Sequence, residues 1–437
     1  MWGALIQRET VAACALTLVA MRPPQVVETS PAHGSAGVDP ETREIVARFD
    51  TPMAPGFSWV GGGPMFPEIT GSATWIDPTT ATLPVRLKPD HDYVLRLNGG
   101  RFRNFTSAQG EPLEPTTIAF STRAMPTTPG TNREAFDRLR EAVLHHYSHR
   151  DRLGVDWDAH LQAVRDEILA SDSTLRLATR LAEALRVAED MHISVRLGPW
   201  VFGTHAPAVT PNFDFRVADL GVGGMRKEGE GVFSARLEDG TAYLLVTSWD
   251  RRLRPGKTAA DALKDMLDAP RLIIDVRPNG GGDELEAQAL ASCLVGEPVI
   301  YARSLNIDPE RPGEFLGPFD RVLTPSADGT PFLGPVCVLM GRACMSSNEA
   351  FLLMARAAGA TLVGQPSFGS SGNPRAYDLG EGITLLLPSW QSLTPEGESF
   401  EGVGIRPDLP VEQAPRSGGA RDPVIEAAIE HLESASP

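Results

Sequence analysis

The sequence predicts a multidomain chain: an all-β module, then a helical subdomain, then an α/β core with a largely parallel sheet. Three observations carry that prediction. Residues 24–123 hold short alternating runs punctuated by Pro, Gly and Asp clusters, the pattern of half-buried strands joined by turns. Within residues 133–192, apolar side chains recur at helical spacing in three successive segments. From about Thr241, buried-strand runs alternate with helical ones, the βαβ rhythm of a parallel sheet. At 437 residues the chain is also too long for one ordinary core.

Taken in order, the first element is an address. Val11 to Ala20 has the length of a signal-peptide apolar run, with Ala20 as a small cleavage-site residue, although Arg8 and Glu9 crowd its start. Residues 1–22 are therefore expected to be a signal peptide and the protein to be exported. Val11-Ala12-Ala13-Cys14 resembles a lipoprotein box only superficially, because too little apolar sequence precedes it. No other run approaches eighteen apolar residues, so no membrane span is expected. In the β module, Arg43 to Asp50 alternates with Ile45, Ala47 and Phe49 on one face, and Tyr93–Leu97 and Thr117–Thr122 behave alike.

Residues 124–132, rich in Pro and Thr, are expected to be a linker. Thr131 and Glu134 have capping-box spacing and should open a helix carrying Phe136, Leu139, Val143 and Tyr147. A second helix carries Trp157, Leu161, Val164 and Ile168, and a third carries Leu177, Leu181 and Leu185. The helical subdomain closes at Asp190-Met191-His192, where Ile193–Leu197 turns to strand periodicity. In the core, residues 193–415, the expected strands are Ala242–Trp249, Arg271–Arg277, Val336–Gly341, Thr361–Gly364 and Ile383–Pro388. Helices are expected from Thr258, over Asp283–Leu294 and over Glu349–Ala358, with residues 416–437 as a C-terminal helix and tail.

Composition narrows the function. Hydrophobic residues at 42% and charged residues at 22% suit a folded, non-repetitive chain. With 40 basic against 56 acidic side chains the net charge is -16, and no Lys/Arg cluster interrupts it, so nucleic acid is not an expected partner. Cys14 would leave with a signal peptide, and Cys293, Cys337 and Cys344 are odd in number with no zinc-clip spacing. Cys293 and Cys337 read as buried small apolar residues. His145 and His149 stand four apart but lack the Glu companion of a zincin, and with His146 they read as a solvated helix face. No metal and no cofactor are expected.

Three stretches carry chemistry. Asp275-Val276-Arg277-Pro278-Asn279-Gly280-Gly281-Gly282 leaves a buried strand and enters a helix, so its N–H groups are exposed where a helix start favours negative charge. Its spacing fits neither a dinucleotide fingerprint nor a P-loop, and alone it reads as a tight turn. Met345-Ser346-Ser347-Asn348-Glu349 places a serine at another strand-to-helix turn, where the hydroxyl can attack while the next N–H steadies an oxyanion. By spacing alone, Ser346 and Glu349 are better read as an N-cap and its capping-box partner. Phe400-Glu401-Gly402-Val403-Gly404-Ile405-Arg406-Pro407-Asp408 says only loop, with Glu401 solvated.

In this order, and with Val363-Gly364-Gln365-Pro366-Ser367-Phe368-Gly369 between the last two, these stretches resemble the serine peptidase superfamily of C-terminal processing peptidases and the tricorn core. The Asp190-x-His192 pattern resembles the tricorn-like branch, and the likeness runs from about Arg133 to Val411. Thr29–Gly34, Val38-Asp39-Pro40 and Phe49–Met53 resemble the bacterial Ig-like domain of exported proteins. The resemblance implies an Ig-like sandwich before a ClpP/crotonase-like core, and peptide-bond hydrolysis of a peptide or protein substrate. It also implies roles: Ser346 as nucleophile, His192 as general base, Glu401 as the acid behind it, and N–H groups of Gly281 or Gly280 and of Ser347 as the oxyanion hole. An imidazole with a pKa near 6.5 can take the serine proton at neutral pH.

Two departures bear on mechanism. Ser370 stands where the processing peptidases carry a catalytic lysine, which excludes a Ser–Lys dyad on that alignment. Met191 stands where the tricorn core has a relay serine, so Glu401 must reach by another hydroxyl or a water, or the relay is degraded. No PDZ pattern lies between His192 and Thr241. The rival readings are a non-catalytic ligand- or peptide-binding homologue on the same core and acyl-CoA chemistry of the crotonase kind, which needs no nucleophilic serine.

Overall fold

The computed structural model describes residues 22–100, 102–207, 209–250, 255–311, 313–327, 329–416, 419 and 421–434. The expected signal segment lies outside them up to Met21. The chain divides into two compact units, one made of the residues before 34 with 39–122, the other of 34–38 with 123 onward.

The first unit is a sandwich of antiparallel sheets. One contains β1 (Val26–Ser30), β2 (Glu44–Phe49), β4 (Glu68–Ile69), β5 (Thr74–Asp77) and β6 (Thr80–Arg86); the other contains β3 (Trp59–Val60), β7 (Asp92–Leu97) and β8 (Thr116–Ser121). Ile45, Ala47 and Phe49 are buried from β2, as are Tyr93, Leu95 and Leu97 from β7 and Ile118 and Phe120 from β8. That is the period-2 burial that the sequence alternation requires. Buried Asn98 substitutes for a missing strand: its amide donates to the carbonyls of Phe105 and Leu113 and accepts the Phe105 N–H.

The second unit opens with α1 (Pro129–His146), α2 (Trp157–Leu169) and α3 (Thr174–Ala184). The N-cap of α1 is Thr128, whose hydroxyl and that of Thr131 satisfy each other's backbone N–H groups. The capping box thus falls three residues earlier than Thr131/Glu134, because Pro129 is pre-set for the first helical turn. The end of the expected linker, 129–132, is therefore helix. After α3 and a 3-10 turn at Arg186–Ala188 come β9 (Ser194–Leu197) and β10 (Trp200–Gly203).

α4 (Phe215–Gly221) leads into the central sheet. Its seven strands run in the order β11 (Arg226–Gly229), β12 (Val232–Arg236), β13 (Ala242–Val246), β14 (Leu272–Asp275), β17 (Val336–Met340), β18 (Thr361–Gly364) and β22 (Leu409–Pro410). All pairs from β13 to β22 are parallel. Alternate residues serve opposite faces. Leu244, Ile274, Val338 and Leu362 pack on one side with residues of α5 (Ala259–Lys264), α6 (Glu284–Ala291) and α7 (Ser347–Ala357). Tyr243, Ile273, Leu339 and Val363 pack on the other with α4 and α8 (Pro423–Ser434). A strand buried on both faces reads as an unbroken apolar run, which is why these four were legible. This is the ClpP/crotonase-like core that the resemblance implied.

Two smaller sheets frame it. β15 (Val299–Ile307) lies between β16 (Phe315–Leu323) and β21 (Trp390–Leu393), while β20 (Ile383–Pro388) lies between β9 and β19 (Pro374–Gly380). Ile383–Pro388 therefore belongs to an antiparallel sheet, not to the parallel one. Its burial alternates with a period of two, as a one-sided strand should. The helical run from Asp283 ends as α-helix at Ala291 and tightens to a 3-10 turn through Leu294.

Candidate active site

The parallel strands β14 and β17 deliver their C-terminal ends side by side, the position where ligands bind in open α/β sheets. β17 is followed by Ser346, which has φ 56° and ψ -130°, and α7 starts at the next residue. A non-glycine residue in that region costs of order 1–3 kcal/mol and persists only when its surroundings enforce it. The enforcement is visible: the Ser346 N–H donates to the Ser370 carbonyl at 3.1 Å, and its carbonyl accepts the Glu349 N–H at 2.8 Å. The expected capping box is absent. The Ser346 side chain makes no cap hydrogen bond; its Oγ lies 3.0 Å from His192 Nε2 instead. Ser347 is the first helical residue, so its N–H falls outside the helix's own ladder, at the positive end of the dipole.

The glycine turn presses against this serine. A Cβ on Gly281, which has φ +104°, would come within 2.9 Å of both the Met345 carbonyl oxygen and the Ser346 Cβ. Asn348, fully buried, ties the two turns together: its amide donates to the carbonyls of Val276 and Asn279 and accepts from the Trp249 indole. Ser347 Oγ donates to the Gly282 carbonyl at 2.9 Å. The Gly281 N–H itself donates to Asn279 Oδ1 at 2.9 Å, so that expected oxyanion donor is engaged inside its own turn. Arg277 plays no part at the surface of the site. It is fully buried, forked between Asp275 and Asp422, and thereby fixes the root of the glycine turn to the start of α8.

His192 follows the 3-10 turn, two residues before β9 begins at Ser194. Its N–H donates to Asp190 Oδ1 at 2.8 Å, and its Nδ1 lies 3.8 Å from the same oxygen. Nδ1 is buried and has no hydrogen-bond partner. Burial holds the imidazole pKa below its ordinary 6.5, with the nearby Asp190 charge opposing the shift. Asp190 is itself buried and accepts the Tyr147 hydroxyl at 3.0 Å.

Glu401 is not beside His192. Its Oε2 accepts the Ser371 N–H at 2.7 Å and the Ser371 hydroxyl at 3.0 Å, and lies 3.6 Å from His149 Nε2. The hydroxyl that Glu401 reaches is thus Ser371, and among the described residues no ion pair joins Glu401 to His192. Neither is Glu401 solvated: burial, then the charges of Asp190 and Glu349, push its pKa well above the ordinary carboxylate value. His149 is buried too, with its pKa lowered to about 4 mainly by burial. α1 ends at His146, so the sequence's extrapolated helix face stops before His149, and the half-buried His146 stacks on Tyr377. Among the described residues no group of three or more His, Cys, Asp and Glu is placed to hold a metal ion.

Glu349, wholly buried, organises the third wall. It accepts the Ser367 hydroxyl and the N–H groups of Gly369 and Ser370, and burial raises its pKa to about 7. Ser370 therefore serves through its peptide, with its N–H on Glu349 and its carbonyl on Ser346. A Cβ on Gly369 would sit 2.5 Å from the Gly404 nitrogen, so the glycine turn after β18 and the Glu401-Gly402-x-Gly404 loop interlock backbone to backbone. A cavity of about 490 Å³ opens at Ser346, walled by Leu285, Arg321, Trp390 and Phe400. Arg321 lies over the Trp390 ring at 4.3 Å and pairs with Glu284, and burial lowers its pKa to about 10. Sequence reasoning missed Tyr147, His149, Ser371 and Arg321; the Asp190-x-His192 spacing was the one available signal for Asp190.

A serine held at a strained strand-to-helix turn against a histidine, on a ClpP/crotonase-like core, is the arrangement of a serine hydrolase. Residues 240–411 match the family model described as Peptidase family S41, and residues 20–122 match that of a bacterial Ig-like domain. A carboxy-terminal-processing protease of Bartonella bacilliformis is 27% identical over 182 residues, 41% of this chain and 40% of that protein. The match thus spans less than half the length of that curated relative. A solved structure described as a candidate peptidase from Parabacteroides merdae is 27% identical, with a TM-score of 0.59, covering 71% of this chain and 100% of that one. Mature CPAF, at 12% identity and a TM-score of 0.50, covers 69% of this chain and 96% of its own, and shares the fold.

Proposed function

We propose that the protein is an exported serine peptidase that hydrolyses peptide bonds through an acyl-enzyme on Ser346, with His192 as general base. The observation that carries this reading is the 3.0 Å contact between Ser346 Oγ and His192 Nε2 at a turn whose serine is freed from capping. The Oγ lone pair attacks the scissile carbonyl carbon as its proton passes to Nε2, and the carbonyl electron pair moves onto oxygen. The Ser347 N–H and an N–H of Gly280 or Gly281 receive that oxyanion; Gly281 does so by releasing Asn279. Collapse returns the electron pair, breaks the C–N bond and sends the imidazolium proton to the departing amine. A water then repeats the sequence on the ester, giving a carboxylic acid and restoring the Ser346 hydroxyl. The Ig-like match supports export.

The test is labelling by a fluorophosphonate, with the modified residue located by mass spectrometry. Wild-type protein should be labelled on Ser346, and Ser346→Ala should lose both labelling and hydrolysis of dye-labelled unfolded casein while keeping its fold. The labelling rate should rise with pH through an apparent pKa below 6.5, as the buried imidazole loses its proton. Labelling that persists on Ser347 or Ser370 in the alanine variant would remove Ser346 from its role; no labelling of wild type would favour a binding protein.

A further inference from the structure

We infer that the acid supporting His192 is Asp190, two residues before it, held in place by the Tyr147 hydroxyl, and that Glu401 is a loop-anchoring residue. This rests on the reading of Ser346 and His192 above. The charged or titratable groups acting on the imidazole are Asp190 from its own turn and His149 from the segment after α1, and Asp190 is in turn faced by Tyr147, His149, His205 and Glu401. Among the described residues, only the Asp190 carboxylate lies within ion-pair distance of the ring, 3.8 Å from Nδ1. That gap exceeds a hydrogen bond, but catalytic contacts often tighten only when substrate binds.

Three further observations converge. Asp190 Oδ1 is already fixed by the His192 N–H and Oδ2 by the Tyr147 hydroxyl, so the carboxylate is oriented from both sides. Its side chain is 0% exposed, and among the described residues no Lys or Arg pairs with it; His192 lies within ion-pair distance, while His149 and His205 feel its charge from farther off. A buried carboxylate without a cation is costly, and the cost is offset when the histidine takes a proton from serine. Finally, His192 Nδ1 is buried without a partner, while the two hydrogen bonds of Glu401 both go to Ser371. Asp190 is a positioning residue in this scheme: it never touches substrate, it orients the ring and stabilises the imidazolium.

The test follows the pH dependence of the second-order rate of fluorophosphonate labelling at Ser346, which needs no knowledge of the substrate. Asp190→Asn should slow labelling roughly 100-fold or more and move the pH limb down, because the imidazolium loses its counter-charge. Tyr147→Phe should slow it several-fold and move the limb up, because the carboxylate loses a donor and bears more on the ring. Glu401→Gln should slow labelling less than Asp190→Asn does and leave the limb in place. A merely structural role for Asp190 would not produce limb shifts of opposite sign. Asp190→Asn labelled at the wild-type rate, or a limb displaced by Glu401→Gln and by neither other variant, overturns the assignment. If Asp190→Asn fails to fold, the Tyr147→Phe and Glu401→Gln limbs decide. Absent labelling of wild-type Ser346 would instead sink the underlying reading.

Discussion

At the scale of single residues, the site is a set of buried polar groups whose conflicts are settled by geometry. Glu349 and Glu401 are carboxyls in surroundings that favour their protonated forms, with pKa values raised to about 7 and well above 4.5 respectively. The sign of their effect on stability is fixed. The folded protein holds these protons above pH 4.5 while the unfolded chain has lost them, so their contribution falls as pH rises through that window. Glu401→Gln keeps an acceptor for Ser371 and removes that dependence. The melting temperature of the variant minus that of wild type should therefore increase between about pH 5 and pH 8; a difference that stays level would show that Glu401 is ionised throughout. Ser346 and His192 were singled out through motifs that resemble a peptidase superfamily, since spacing alone reads Ser346 as an N-cap, a reading that its bond-free side chain overturns. The partners of Glu401 were not, because a loop sequence carries no period from which to infer what its side chain faces. His149 was misread for the opposite reason: a true helical period was carried past the residue where the helix stops.

Elements explain how such groups are held within tenths of an ångström. The turns after β14 and β17 are locked by Asn348 and by the absence of a side chain at Gly281, and the root of the first is fixed by Arg277. That guanidinium has two carboxylates, Asp275 from its own strand end and Asp422, whose Oδ1 also accepts the N–H groups of Val424 and Ile425 at the start of α8. Removing one partner of a buried pair leaves an uncompensated charge, at a cost of about 3–5 kcal/mol. Asp422→Ala should lower stability to denaturant by that order and slow labelling at Ser346, although it lies in another element; an unchanged unfolding midpoint would show the fork to be dispensable. Parallel strands buried on both faces were legible as apolar runs. The β15–β16 pair was not anticipated, since most of β16 is exposed and its sequence shows no buried face.

For the whole molecule, the two compact units raise a simpler question: whether the second needs the first. The backbone leading into α1 is part of the second unit: the Thr174 N–H donates to the Met125 carbonyl, and Thr128 caps the helix. A shortened chain beginning at Arg123 keeps these contacts, although it gives up residues 34–38 of the second unit with the Gly37 N–H bond to the Arg123 carbonyl, and is expected to fold and to be labelled at Ser346 at close to the full-length rate. Loss of labelling with the fold intact would show that the Ig-like unit shapes the site rather than accompanying it.

The fork at Arg277 also bears on the order in which the site beside Ser346 is assembled. One of its carboxylates comes from residue 422, 145 residues beyond Arg277, and the loop that seats the nucleophile is braced by residues beyond 400. During synthesis, a chain that has already exposed its serine and histidine still lacks the charge that lets the glycine turn bury its arginine. On the proposed reading, the glycine turn beside Ser346 is completed only after residue 422 has been added, an order fixed by the direction of synthesis.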